Sequence, residues 1–554
     1  MNLFEKHQPE LMKAISAVHK REFYAHFPEM PSASNYGESA NDSGKANFTA
    51  MLSKNFEGLL QSGQKKFAGE EQSPYTLKPL GVNYPVNEPQ EIISYSEKAF
   101  LQWKNTSPAD RAGILMEALE KIKHKFFEIA YSTMHTTGQA FMMSFQASGP
   151  HANDRALEAI ALGYEEQTRF PDNAIWDKPM GKINVTLKKK WKIIPRGIGL
   201  VIGCSTFPVW NSVPGIFANL ITGNSTIVKP HPASVLPIAI VVIEIQKTLA
   251  DNGFNPDICF LTSDTSENLI SKKLCENPSV KLIDFTGGPV FGEYVESLKN
   301  KIIFTEKAGV NSAIIDSVND LNLVMQNLAF SLSLYSGQMC TAPQNIFIPE
   351  EGVNNNGKKI SYAETVTSLI NSIKGLTTHP KMGFATLGAV QNENILNRIK
   401  EATDTGLKIL LNSEKVTNPE FPESRTVSPV LLEADANKDK EIFSKEWFGP
   451  ISMVVKTKNS EESIELAKEL SFKKGALSCA AYSTDNSMIE KIETEMTSAG
   501  APVSFNLTGP IWVNQHAGFS DFHVTGCNPA GNASFTNPEF ILKRFSLVGV
   551  RIPA

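Results

Sequence analysis

The chain lacks paired cysteines: the six it has, at positions 204, 259, 275, 340, 479 and 527, form no CxxC and no Cys/His ligand spacing. Neither a zinc module nor a disulfide framework is suggested, and unpaired thiols fit a reducing compartment. Charge of one sign is missing too. With 53 Lys and Arg interspersed among 58 Asp and Glu, the formal charge of -5 leaves no basic footprint for nucleic acid. Long apolar runs are absent. The greasiest stretch, 236–245, is broken by Pro237 and Glu244 well short of a membrane span. Residues 1–7 carry no apolar leader core, and no internal repeat or low-complexity tract is present. The expectation is a soluble, cytoplasmic protein without nucleic-acid or membrane partners.

What is there is a rhythm of short apolar runs. Residues 199–203, 225–229, 258–261, 281–285 and 302–306 are continuously hydrophobic or nearly so, and helix-length segments separate them. Continuous rather than alternating hydrophobicity is what a parallel sheet covered on both faces requires. The stretch from Trp103 through Phe126 has the apolar spacing of an amphipathic helix. At 554 residues the chain exceeds one hydrophobic core, and two major lobes are expected. The second, from about 308 to 501, shows strand-like 345–348 and 427–432 and a helical 462–470. Residues 1–90 read as an extension wrapping the first lobe, with a mobile tail as the alternative for the first twenty. Residues 183–187, with the lysines and Trp191 that follow, and residues 545–551 read as exposed strands that need a partner, which a second subunit could supply.

Two segments carry chemistry. Cys340 stands in Gly337-Gln338-Met339-Cys340-Thr341-Ala342, and Glu306 ends the strand-like run 302–306. A lone cysteine is most often a small buried hydrophobe. Polar Gln338 and Thr341 on either side argue against a plain core position. Moving a thiol from a pKa of about 8.5 to about 7 takes only ~2 kcal/mol of local electrostatics, so a nucleophile facing a carboxylate base is expected across a cleft.

Further segments appear in a fixed order. Pro195-Arg196-Gly197-Ile198-Gly199 leads into Thr206-Phe207-Pro208-Val209-Trp210. Lys229-Pro230 follows a strand, then Phe285-Thr286-Gly287-Gly288-Pro289-Val290-Phe291-Gly292, and finally Glu446-Trp447-Phe448-Gly449-Pro450. Over roughly residues 95–550 this order resembles the NAD(P)-dependent aldehyde dehydrogenase superfamily. The extension, with Phe23-Tyr24-Ala25-His26-Phe27-Pro28-Glu29 and Ser73-Pro74-Tyr75, is similar to the PaaN-type phenylacetate-degradation members.

The resemblance implies an α/β fold of two doubly wound parallel-sheet lobes, an oligomerisation strand arm and an N-terminal extension. It implies a dinucleotide-binding domain over 91–176 and 193–307, a catalytic domain over 308–505, and oligomerisation strands at 177–192 and 538–554 in a homodimer or larger assembly. Cys340 would attack an aldehyde to give a thiohemiacetal and, after hydride loss to NAD or NADP, a thioester that Glu306 hydrolyses with water. Lys229 would hold the adenosine ribose, Glu446 the nicotinamide ribose, and Phe448 would flank that ring. Gly287, Gly288 and Gly292 would admit the pyrophosphate, with Phe207 and Pro232 beside the cofactor and no metal. The substrate would be an aldehyde, in the PaaN reading the semialdehyde of a ring-opened coenzyme A thioester. A general medium-chain or aromatic aldehyde, or a non-catalytic binding protein on the same fold, are the alternatives.

Three positions depart from the family's pattern. Thr206 replaces the oxyanion asparagine, so its hydroxyl with the Cys340 amide is expected as the donor pair, with Asn211 as the competitor. Gly215 stands where many relatives have a relay lysine. Pro232, beside His231, replaces a glutamate that repels a 2′-phosphate, which tilts the expectation towards NADP with dual use open.

Overall fold

The computed structural model describes residues 2–554. At the N-terminus α1 (Leu3–Lys20) is closed by a capping box, Asn2 accepting from the Glu5 amide at 2.8 Å and Glu5 reaching back to Asn2. Its buried residues Leu11, Ala14 and Ala17 recur at helical spacing and pack on α2 (Pro108–Lys123) and α3 (Pro150–Thr168). Residues 3–20 are therefore a helix whose buried face joins the first lobe's core, rather than a mobile tail.

The chain then makes an exposed hairpin, β1 (Asn173–Met180) and β2 (Ile183–Pro195), before entering the first lobe. Strands β3 (Ile198–Ile202), β4 (Ser225–Lys229), β5 (Cys259–Leu261), β6 (Val280–Gly287) and β7 (Ile302–Lys307) form one parallel sheet in the order β5-β4-β3-β6-β7. Both β3 and β4 are buried along their whole length. Helices α4 (Pro208–Ile221) and α5 (Leu236–Asp251) cover the sheet. Rich in Ile and Val, α5 is a poor helix former by propensity, and near-total burial overrides that cost. Among the described residues no helix is long and apolar enough to cross a membrane.

In the second lobe β8 (Ser312–Ile315), β9 (Asn345–Pro349), β10 (Lys408–Leu411), β11 (Val430–Asp435), β12 (Ile451–Thr457), β13 (Cys479–Tyr482) and β14 (Val503–Phe505) make a seven-stranded sheet, order β10-β11-β12-β9-β8-β13-β14. All neighbours are parallel except β10 and β11. The two-lobed α/β reading holds, with one antiparallel edge added.

The last strand, β15 (Phe545–Pro553), pairs antiparallel with β2 along its full length, from Phe545 opposite Pro195 to Pro553 opposite Leu187. The two segments expected to need a partner thus find it first in each other. The outer edges of β1 and β15 are unpaired among the described residues, and Trp176, Val548 and Ile552 lie exposed on this arm.

A buried ion pair ties the arm to the first sheet. Arg544 is fully buried and donates to both carboxylate oxygens of Asp284 on β6, at 2.5 and 2.8 Å, and to Asn219 of α4. Gly215 presses on the same Asp284, where a Cβ would come within 2.8 Å of its carboxyl carbon, so the position of the relay lysine has no room for a side chain. Asp284→Ala leaves Arg544 buried and unpaired, and should cost about 3–5 kcal/mol in chemical denaturation; a loss under about 1 kcal/mol would contradict the pairing argument.

Candidate active site

The register of the first sheet assembles half of the site. Ile202 pairs with Lys229 on one side and Phe285 on the other, and Thr286 pairs with Glu306. The carboxyl ends of β3, β4, β6 and β7 therefore lie along one edge, where open parallel sheets bind ligands.

The other half comes from the loop before β9. Tyr335, Ser336 and Gly337 all take positive φ, and a Cβ on Gly337 would meet the Gly449 carbonyl at 2.3 Å. Only glycine fits that crossing. Gln338, expected to signal exposure, is fully buried: its amide donates to the Tyr335 and Ala389 carbonyls and its oxygen accepts from the Gln391 amide. Thr341 is buried as well. Both clamp the loop, and Asn311 holds its far side by donating to the carbonyls of Cys340 and Ala342. Cys340 itself is half-buried and reaches two cavities.

Across the cleft, Cys340 Sγ lies 3.9 Å from Glu306 Oε1. Glu306 is buried, and that same oxygen accepts from Asn211 Nδ2 and from His523 Nε2, each at 2.8 Å. Burial pushes the Glu306 carboxyl up, but His523, Arg155 and the Asn211 amide outweigh it and hold it below its ordinary range. The thiol moves the other way. Burial, then the charge of Glu306 and the neighbouring Cys204, hold Cys340 well above its usual value. The expected lowering towards neutrality is thus reversed, first by burial and then because the carboxylate that faces the sulfur opposes a second negative charge.

A cavity of about 930 Å³ runs along the sheet edge and contains Lys229, Pro232, Gly287, Gly288, Glu446, Phe448, Thr206 and Phe207. Lys229 is buried with its ammonium 2.6 Å from Asp264. Burial raises the Glu446 carboxyl to about 7, with Arg398 opposing. Open space fronts Gly288, at the start of the helix Pro289–Glu296, so a ligand can approach its backbone. Gly292 departs from expectation: it is buried under Lys307, whose side chain a Cβ would meet at 2.5 Å, and it does not line the cavity. A second cavity of about 390 Å³, walled by Met143, Trp210, Met339 and Trp512, meets the first at Cys340, Asn211 and Phe207.

Thr206 lines only the first cavity, and its carbonyl accepts from Gln139 at 2.8 Å, whereas Asn211 lines both. The α4 turn explains this, since one helical turn inside the sheet edge carries Asn211 back to the level of the thiol. His523 had no signal in the sequence. It lies 217 residues from Glu306 in an irregular segment, 506–537, that no domain assignment included. An isolated bridge brings it there, Glu306 pairing with Gly531, where a Cβ would meet the Thr305 carbonyl at 2.2 Å.

Known proteins share this fold. The model of the aldehyde dehydrogenase family matches residues 72–541. The crystal structure of an NAD-dependent aldehyde dehydrogenase from Burkholderia multivorans is 42% identical and superposes with a TM-score of 0.97, covering 100% of this chain and 99% of that one. A 1-pyrroline-5-carboxylate dehydrogenase from Thermus with bound NAD shares the fold at 17% identity and a TM-score of 0.76, over 96% of this chain and 99% of its own. Among curated sequences, a 1-pyrroline-5-carboxylate dehydrogenase of Geobacillus sp. (strain WCH70) is 23% identical over 79% of this chain and 81% of its own.

If the charge of Glu306 holds the thiol protonated, Glu306→Gln should release it. Alkylation of Cys340 by iodoacetamide at pH 7.5 is expected to speed up by about tenfold, the effect of roughly one pKa unit. An unchanged or slower rate would show that burial alone sets the thiol.

Proposed function

The chain belongs to the aldehyde dehydrogenase family, and from that premise we propose that it oxidises an aldehyde to its carboxylic acid through a thioester on Cys340. The observation that carries this reading is the 3.9 Å approach of Cys340 Sγ to Glu306 at the point where the two cavities join. One cavity suits a dinucleotide and the other an apolar aldehyde. The dinucleotide, when bound, accepts the hydride.

The chain's own part follows from its residues. Lys229 and Glu446 hold the two riboses, Phe448 and Phe207 flank the cofactor, and Gly287 and Gly288 admit the pyrophosphate. Cys340 attacks the carbonyl, passing its proton to the adjacent carboxylate as it does so. Asn211, with one amide hydrogen on Glu306 and a second one free, is the better oxyanion donor than Thr206 because it lines the aldehyde's cavity. Glu306 then serves the hydrolysis of the thioester.

Nucleotide preference turns on a residue outside the motifs. Without a carboxylate at Pro232, NADP is not repelled there; but Glu70 of the N-terminal extension lines the same cavity as His231 and Pro232, held by the Ser266 amide and hydroxyl. Its charge restores a bias against a 2′-phosphate, so NAD is the preferred cofactor, with NADP as the weaker one.

For the substrate, a groove of about 960 Å³ continues outward from the Cys340 cavity past Phe330, Met382 and Trp512. That length suits a bulky acyl carrier, in keeping with the PaaN-like extension and a ring-opened coenzyme A thioester semialdehyde of phenylacetate breakdown. The apolar wall beside Cys340 favours, as the second reading, a medium-chain or aromatic aldehyde. The arm of β1, β2 and β15 packs on a second copy in a homodimer or larger assembly, and the six free cysteines suit a cytoplasmic setting.

Three measurements bear on this. Purified enzyme should show a higher kcat/KM for the thioester semialdehyde than for hexanal or phenylacetaldehyde, and the reverse order would select the second reading. Asn211→Ala should lower kcat by about 10²–10³-fold and Thr206→Val by no more than about threefold; the opposite ranking would return the oxyanion role to Thr206. Glu70→Gln should raise kcat/KM for NADP relative to NAD by about tenfold, roughly 1.4 kcal/mol, and an unchanged ratio would remove Glu70 from cofactor choice.

A further inference from the structure

Resting on the proposed oxidation through Cys340, we infer that the base for thioester hydrolysis is a Glu306–His523 pair in which His523 takes the proton. Glu306 accepts the Asn211 amide and shares a cavity wall with the buried guanidinium of Arg155, a setting that keeps it ionised, and an ionised carboxylate only accepts hydrogen bonds. The His523 nitrogen facing it at 2.8 Å, Nε2, must therefore carry the hydrogen. In a neutral imidazole this leaves Nδ1 as the lone-pair nitrogen. That atom is buried and has no hydrogen-bond partner among the described residues.

The ring stands in the right place to use it. His523 lines the same cavity as Cys340, with the edge-on Trp210 indole 4.5 Å away as a wall. A ring nitrogen of His523, the Cys340 sulfur and a Glu306 carboxylate oxygen all fall within 4.8 Å of one another, so the three groups share one small volume. His516 stacks edgewise 5.2 Å from His523 in the same cavity, and its Nε2 is likewise buried without a partner. Buried polar atoms without a protein partner are the ones ordered water serves. The arrangement repeats the logic of a carboxylate that orients an imidazole and stabilises its charged form.

The step balances. Water adds through oxygen to the acyl carbon of the Cys340 thioester while one of its protons passes to His523 Nδ1. The imidazolium is held by Glu306. As the tetrahedral adduct collapses, the C–S bond breaks, the leaving sulfur recovers that proton from His523, and the acid departs, ionising to carboxylate in solvent.

His523→Gln separates this from a merely orienting role, because glutamine can still donate to Glu306 but has no basic nitrogen. The expected result is a full pre-steady-state burst of one reduced nucleotide per Cys340, a steady-state kcat lower by roughly 10²–10⁴-fold, and an acyl adduct on Cys340 in intact-mass spectra. His523→Asn is expected to give the same pattern and serves should the first variant not fold. Turnover at the wild-type rate in either variant would overturn the inference, as would loss of the burst together with kcat. Absence of any burst or adduct in the wild-type enzyme with every aldehyde tried would instead overturn the oxidation on which the inference rests.

Discussion

A carboxylate taken out of water persists only where donors replace the water, and Glu306 is held in that condition. Its one oxygen collects the Asn211 amide, the His523 ring and the edge of the Cys340 thiol. Each donor comes from a different part of the chain: a helix of the first lobe, the irregular segment after the second lobe, and the loop before β9. The site exists because these three meet at the end of one buried strand.

The meeting requires the lobes to be locked together, and hydrogen bonds to backbone carbonyls do this. Tyr335 donates to the Thr137 carbonyl at 2.6 Å, Gln391 reaches both Thr136 and Ser205, and the Ala389 amide donates to Gly138. These partners belong to segments that carry no chemistry themselves. They place the Cys340 loop against the sheet edge, so a thiol and a carboxylate 34 residues apart face each other across a wall of fixed width. The buried Arg544–Asp284 pair does the same for the C-terminal arm, and through it for the segment carrying His523.

Electrostatically the resting site favours a neutral thiol. In the proposed reaction the same negative charge that suits hydrolysis opposes the thiolate needed for attack, so one carboxylate cannot serve both steps unchanged. An imidazole hydrogen-bonded to that carboxylate relieves the conflict, since it offers a basic nitrogen without a second negative charge beside the sulfur.

The order of apolar runs from 198 to 307 was enough to give the parallel sheet of the first lobe, because strands buried on both faces must be continuously hydrophobic. The motif around Cys340 and the strand-end position of Glu306 were equally legible, as chemistry restricts which residue types can stand there. Other features were decided only by tertiary structure. Gln338 reads as a polar flank but is a buried clamp; Gly292 reads as a phosphate glycine but makes room for Lys307; β2 and β15 read as orphans but pair with each other. His523 and Glu70 left no periodicity or motif, for a residue in an irregular segment acquires its role only from whichever element the fold brings against it. Local pattern determined which strands this protein has and where its candidate nucleophile stands, and long-range packing determined who stands beside them, because contacts across hundreds of residues leave no trace in their spacing.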